Sequence, residues 1–106
     1  MTIKIYNKLV RDKVVEQAEA RGLTVVTRVI EDDDEYLALL LAKLVEEARE
    51  LQESLSVEEA ADVMEVLMAI IEQLTTLEHA EVVRQEKARI RGSYGKRIFL
   101  ESVEEP

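Results

Sequence analysis

A chain of 106 residues with 47% hydrophobic content suits one domain with a modest core, and a formal charge of −9 argues against nucleic-acid backbones as its main partner. Three tyrosines, one phenylalanine and no tryptophan leave that core to Leu, Val, Ile and Ala. The lack of cysteine excludes disulfides, thiolate chemistry and cysteine metal sites, and the single histidine, His79, leaves little room for zinc.

Residues 1–7 read as a short extended lead without the apolar run of a signal peptide. No segment approaches the ~20 apolar residues of a membrane span, so a cytoplasmic protein with no membrane partner is expected. A helix is predicted from about Leu9 to Ala20, closed by Gly22. Leu23 to Ile30 is β-branched and alternating, which predicts a short strand. The run Glu31-Asp32-Asp33-Asp34 offers an N-cap and first-turn acids for the next helix, and it lacks the glycine and spacing of a calcium loop. Long helices follow over about Glu35 to Glu53, Val57 to Thr75 and Leu77 to Arg91, where Gly92-Ser93-Tyr94-Gly95 makes a turn. Arg97 to Val103 is expected to pair as a strand with residues 24–30, ahead of a frayed tail at Glu104-Glu105-Pro106. No internal repeat or linker appears. The expected fold is therefore all-α: one domain over residues 1–106, an antiparallel bundle of three to four helices with a minor two-stranded β element. Residues 63–71 have almost no polar face, so a homodimer is expected to complete the bundle.

The stretch from Glu46 to Asp62 carries the chemistry. Glu47 and Glu50 lie three apart on one predicted helix, and Glu59 and Asp62 three apart on the next, so each pair shares a helix face. Both Glu50 and Glu59 stand roughly 5–6 Å along their helices from the turn at Ser54-Leu55-Ser56, with Glu47 and Asp62 at roughly 9–10 Å. Antiparallel neighbours would bring the four carboxylates to one place. Glu47 falls within the apolar stripe of Leu37, Leu40, Leu41, Leu44, Ala48 and Leu51, and Asp62 sits on a helix that is apolar almost all round. Two unit charges about 4 Å apart repel by roughly 4 kcal/mol at an effective dielectric of 20, so such a group calls for protonation, water or a cation. All-oxygen ligands select a hard ion, Mg²⁺ first and Mn²⁺ next. Two plainer explanations stand beside this one. A chain with 23 acids places some at this spacing on solvated faces, and Ser56 to Glu59 fits a capping box.

Charge is unevenly spread. Residues 31–65 hold 13 acids against Lys43 and Arg49, whereas residues 84–97 hold six cations against Glu86 alone. Lys4, Lys8, Arg11 and Lys13 add a basic start. An acidic centre with basic ends suggests a small ligand that carries both metal and phosphate. Lys87 and Arg91 are the phosphate candidates on the last helix because Gly92 follows, where backbone can approach a ligand closely. Arg84 and Arg89 are read as solvated, and His79 as an exposed helical residue.

The order Glu-Glu-x-x-Glu, Glu-x-x-Asp, then a lysine and Arg-Gly before a short strand resembles the all-α nucleoside triphosphate pyrophosphohydrolases. That superfamily includes MazG, the dimeric dUTPases and phosphoribosyl-ATP pyrophosphohydrolase. The opening Tyr6-Asn7-Lys8-Leu9-Val10-Arg11-Asp12-Lys13 and the closing Lys96-Arg97-Ile98-Phe99-Leu100 are similar to a small MazG-like branch of it. The resemblance implies metal ligands at Glu47, Glu50, Glu59 and Asp62, with Glu46 beside them to orient or deprotonate the attacking water. It implies phosphate contacts from Lys87 and Arg91 and nucleotide contacts from Asn7, Lys8 and Arg11. The implied reaction is Mg²⁺-dependent hydrolysis between the α- and β-phosphates, giving a monophosphate and pyrophosphate, and the implied role is house-cleaning of non-standard or excess nucleotides. Three positions depart from the pattern: the gap between the acidic motifs is short, Val15 replaces a common proline, and Ser93 replaces a common glycine. The alternative is a non-catalytic helical homodimer, an interaction or regulatory module. Base and sugar preference, and whether phosphoribosyl-ATP is the substrate, are not legible.

Overall fold

The computed structural model describes residues 2–106. Four helices follow one another: α1 (Val14–Ala20), α2 (Asp33–Glu53), α3 (Val57–Leu74) and α4 (Leu77–Arg91). The fold is all-α. Each long helix starts where a short polar side chain takes a free amide of the first turn. Asp32 accepts from the Glu35 N–H (2.9 Å), Ser56 from that of Glu59 (3.1 Å) and Thr76 from that of His79 (3.1 Å). Arg28 clamps Glu35 through two bonds (3.2 and 2.7 Å), which ties the incoming chain to the first turn of α2.

The first helix is shorter than its pattern predicts. It begins at Val14 rather than near Leu9; the chain before it stays unwound, and its Lys8 and Arg11 reach acids on α2 and α3. Its end matches expectation. Gly22, at φ +82°, lets its own N–H reach the Glu19 carbonyl and the Leu23 N–H reach that of Ala18, a Schellman closure.

The predicted two-stranded β element does not form among the described residues. Two physical reasons account for this. Arg97, the intended first residue of the second strand, has φ +58°, and its N–H closes a turn onto the Tyr94 carbonyl (3.0 Å). That left-handed conformation is incompatible with a strand start. Residues 23–30 then face no edge to pair with, and an isolated strand is not stable in water.

The packed unit is the α2–α3 hairpin. Leu40 and Ile70 stand equally far from Leu55 at the turn, so the antiparallel helices set them level, and both are buried. Along α3 the apolar residues run almost all round, so one partner helix covers only part of the surface. By contrast, among the described residues α4 touches α3 sparsely and α1 meets no other helix. The molecule extends 67 × 30 × 26 Å with a radius of gyration of 18.9 Å, against about 13 Å for a compact chain of this length. It exposes 10065 Å², where a compact monomer of this mass exposes about 6,000 Å². Met64, Leu67, Met68, Val82, Val83 and Ile90 contribute to that excess.

Candidate metal centre at the acidic hairpin

Three of the four predicted ligands meet. Glu47 and Glu50 come from the last turns of α2, Glu59 from the first turn of α3, and each offers an oxygen within 4.8 Å of the others. The hairpin turn is only Ser54, Leu55 and Ser56, so the end of α2 and the start of α3 are forced alongside each other. Glu47 is the one buried charged residue among those described, at 8% exposure. Its burial follows from its place in the Leu40–Leu44–Leu51 stripe. Glu50 and Glu59 are half-buried.

The satisfaction of these oxygens bears on all three readings of the acids. One oxygen of Glu47 and one of Glu59 are buried without any hydrogen-bond partner. A solvated helix face would leave them wet. A complete capping box would turn the Glu59 carboxylate back to the Ser56 N–H. Only half of that box is present: Ser56 Oγ accepts from the Glu59 N–H, while the Glu59 side chain leaves the cap and turns to the acids of α2. A buried acceptor without a partner costs about 1–3 kcal/mol, more when charged, so two such oxygens, on residues whose carboxylates converge, fit a cation donor set. The donors are all carboxylate oxygens, which suits Mg²⁺ or Mn²⁺.

Asp62, the fourth predicted ligand, is half-exposed and not part of that trio. Its Oδ1 accepts from the Arg11 guanidinium at 2.7 Å. Glu46, the predicted water-handling acid, accepts from Lys8 Nζ at 2.9 Å. Lys43 lies between the groups, its Nζ 3.6 Å from Glu46 and 3.5 Å from Glu47 Oε1. Sequence reasoning missed Lys43. Its signal was present in the spacing, since Lys43 stands three and four residues before two acids on one helix.

These neighbours set the acidities. Burial pushes the Glu47 carboxyl above the usual carboxylate range, the adjacent Glu50 adds to this, and Lys43 partly opposes it. The hydrogen bond from Lys8 holds Glu46 below that range, with help from Lys43. The same bond holds the Lys8 ammonium more firmly protonated, and Glu50 and Glu47 add to its field.

The basic residues divide. Lys8 and Arg11 reach the acids from the N-terminal lead. Asn7, beside them, adopts φ +47° and lines a small recess with Lys8 against α2. Lys87 and Arg91 do not join the site within one chain. They lie on α4, line an open groove with Val82, Val83 and Ile90, and form no ion pair among the described residues. Arg84 and Arg89 pair with Glu81 and Glu86 one turn away on their own helix, as solvated residues do. No helix of the described residues is long and apolar enough to cross a membrane. Searches of protein-family models, of curated proteins and of solved structures give no match to this chain.

Proposed function

We propose that the chain is a MazG-like, Mg²⁺-dependent nucleotide pyrophosphohydrolase whose carboxylates at the α2–α3 turn hold the metal. One observation carries this reading: two buried, unpartnered carboxylate oxygens, from Glu47 on α2 and Glu59 on α3, belong to residues whose oxygens converge with one of Glu50. Glu47, Glu50 and Glu59 hold the ion, and Asp62 completes the set when Arg11 leaves it. A divalent ion there supplies neutralisation of phosphate charge and an acidified water.

The chain's own groups do the rest. Glu46, adjacent to the ligands, accepts the proton of the attacking water once Lys8 releases it. Lys8 and Arg11 bind phosphate oxygens next to the acids, and Asn7 contacts the nucleotide. Lys87 and Arg91 stabilise the departing pyrophosphate. Because α4 stands away from the acids of its own chain, a second copy delivers those two cations, and dimerisation covers the exposed apolar faces of α3 and α4. The roughly 4,000 Å² that this chain exposes beyond a compact monomer exceeds the roughly 1,000–2,500 Å² per chain that an obligate interface buries, so it leaves room for one.

The test is pyrophosphate release from a panel of nucleoside triphosphates and from phosphoribosyl-ATP, with Mg²⁺ and with chelator. Metal-dependent release of pyrophosphate and monophosphate is expected from at least one. No release from any of them, by protein that binds Mn²⁺ or not, overturns the enzymatic reading and leaves the non-catalytic helical dimer.

A further inference from the structure

Two contacts in this molecule join residues far apart in sequence at the acid site: Lys8 with Glu46 and Arg11 with Asp62, at 2.9 and 2.7 Å. They share a logic. Each comes from the lead before α1, and each lands on a carboxylate adjoining the Glu47, Glu50 and Glu59 trio, one on α2 and one on α3. The lead therefore spans the mouth of the hairpin like a strap. Little else holds it there. Its apolar residue, Leu9, is only half-buried, and it lines with Leu39 and Ala42 an open recess of about 70 Å³, room for about two waters. The bend that sets the strap in place falls at Asn7, a residue type that tolerates the left-handed conformation.

We propose that residues 7–11 form a cationic strap that neutralises the flanking acids Glu46 and Asp62 when the site is empty, and is released from them when the ion binds. The inference rests on the metal reading above. The charges balance: Lys8 and Arg11 together carry two positive charges, as one divalent ion does, so exchange of strap for ion leaves the charge on the acids unchanged. Arg11 and an incoming ion also compete directly for Asp62. Exposed ion pairs are weak and a carboxylate-held divalent ion is not, so the exchange runs toward release. Once free, Lys8 and Arg11 are available to an anionic phosphate ligand at the moment the ion is in place to receive it. The strap thus couples the order of binding: metal first, phosphate second.

The chain has no cysteine, so a spin-label pair at Lys4→Cys and Glu65→Cys reports the strap without background. Pulsed dipolar distances are measured in chelator and in saturating Mg²⁺, with calorimetric titration of Mn²⁺ run on the same protein. A single narrow distance in chelator that lengthens and broadens with Mg²⁺ is expected. The Lys8→Gln/Arg11→Gln variant is expected to show the broad distribution without ion, and to bind Mn²⁺ more tightly by up to about tenfold. Mn²⁺ binding with an unchanged distance distribution overturns the strap while leaving the metal site intact. Absence of Mn²⁺ binding in calorimetry overturns the metal site itself and the strap with it.

Discussion

Glu47→Gln tests the site at its most buried member. The substitution keeps the shape and removes one charge from the trio. At the 4.8 Å that bounds their separation and an effective dielectric of 20, each carboxylate pair repels by at least about 3.5 kcal/mol, and Glu47 takes part in two such pairs. Against this, the variant loses an attraction to Lys43 at 3.5 Å worth about 5 kcal/mol on the same scale. The difference favours the variant by about 2 kcal/mol at full ionisation, and by less where Glu47 already holds a proton. In chelator near pH 8, the variant should therefore unfold about 4–12 °C above the unmodified chain, for a gain of about 1–2 kcal/mol. With Mg²⁺ the order should reverse: the unmodified chain gains stability from the bound ion, whereas the variant gains little. Thermal unfolding followed by circular dichroism, in chelator and in Mg²⁺, reads both effects. A variant less stable than its parent in chelator, with an undiminished response to Mg²⁺, would refute the claim that repulsion around an ion site is stored at this residue.

Four further outcomes follow from particular contacts. In chelator, stability should fall as pH rises from the ordinary carboxylate range through the raised Glu47 pKa, because the folded state keeps a proton there that the unfolded chain has released; Glu47→Gln should flatten that slope. Glu46 acts with the opposite sign: its pKa is lowered, so its contribution is present above the ordinary range and lost as pH falls, and Lys8→Gln should weaken that acid limb. Gly92→Ala should cost about 1–3 kcal/mol, since φ +81° with ψ 176° is open in practice only to glycine, while Gly95→Ala, with no such φ, should change stability by less than about 0.5 kcal/mol. Sedimentation equilibrium should give twice the 12.1 kDa of one chain, and Leu67→Glu with Val83→Glu should return the monomer.

Much of the hairpin was legible because its signals are local. The acidic run holding Asp32 and the capping Ser56 fix helix starts within one turn, and the apolar period of α2 and α3 fixes which residues can be inside. The meeting of Glu47, Glu50 and Glu59 was legible for the same reason, since a turn of only a few residues leaves two helix ends no choice but to adjoin. What depends on distant chain was not. Nothing near Arg11 or Asp62 announces that they pair across fifty-one positions, so Asp62 read as a free ligand. The alternation of residues 23–30 is a true β pattern, but a strand needs an edge, and only the left-handed Arg97 reveals that none is supplied. The direction in which α4 leaves α3 depends on side-chain packing that the sequence does not spell out.

The distribution of packing bears on how such a site would work. The acids sit on the hairpin, the best-packed part of the molecule, whereas every cation assigned to the ligand sits on a loosely attached part: Lys8 and Arg11 on the strap, Lys87 and Arg91 on α4. These demands differ in kind. A small hard ion requires near-ideal geometry, so its ligands benefit from a rigid support. A polyphosphate must enter and its products must leave, so the groups that grip it benefit from being able to close and open. A purely structural role for the acids would explain neither half of this division, because solvated carboxylates need no buried, convergent placement and a scaffold needs no basic arms held away from it. On the proposed function both halves follow from one requirement: the negative ligands stay fixed while the positive ones change partners.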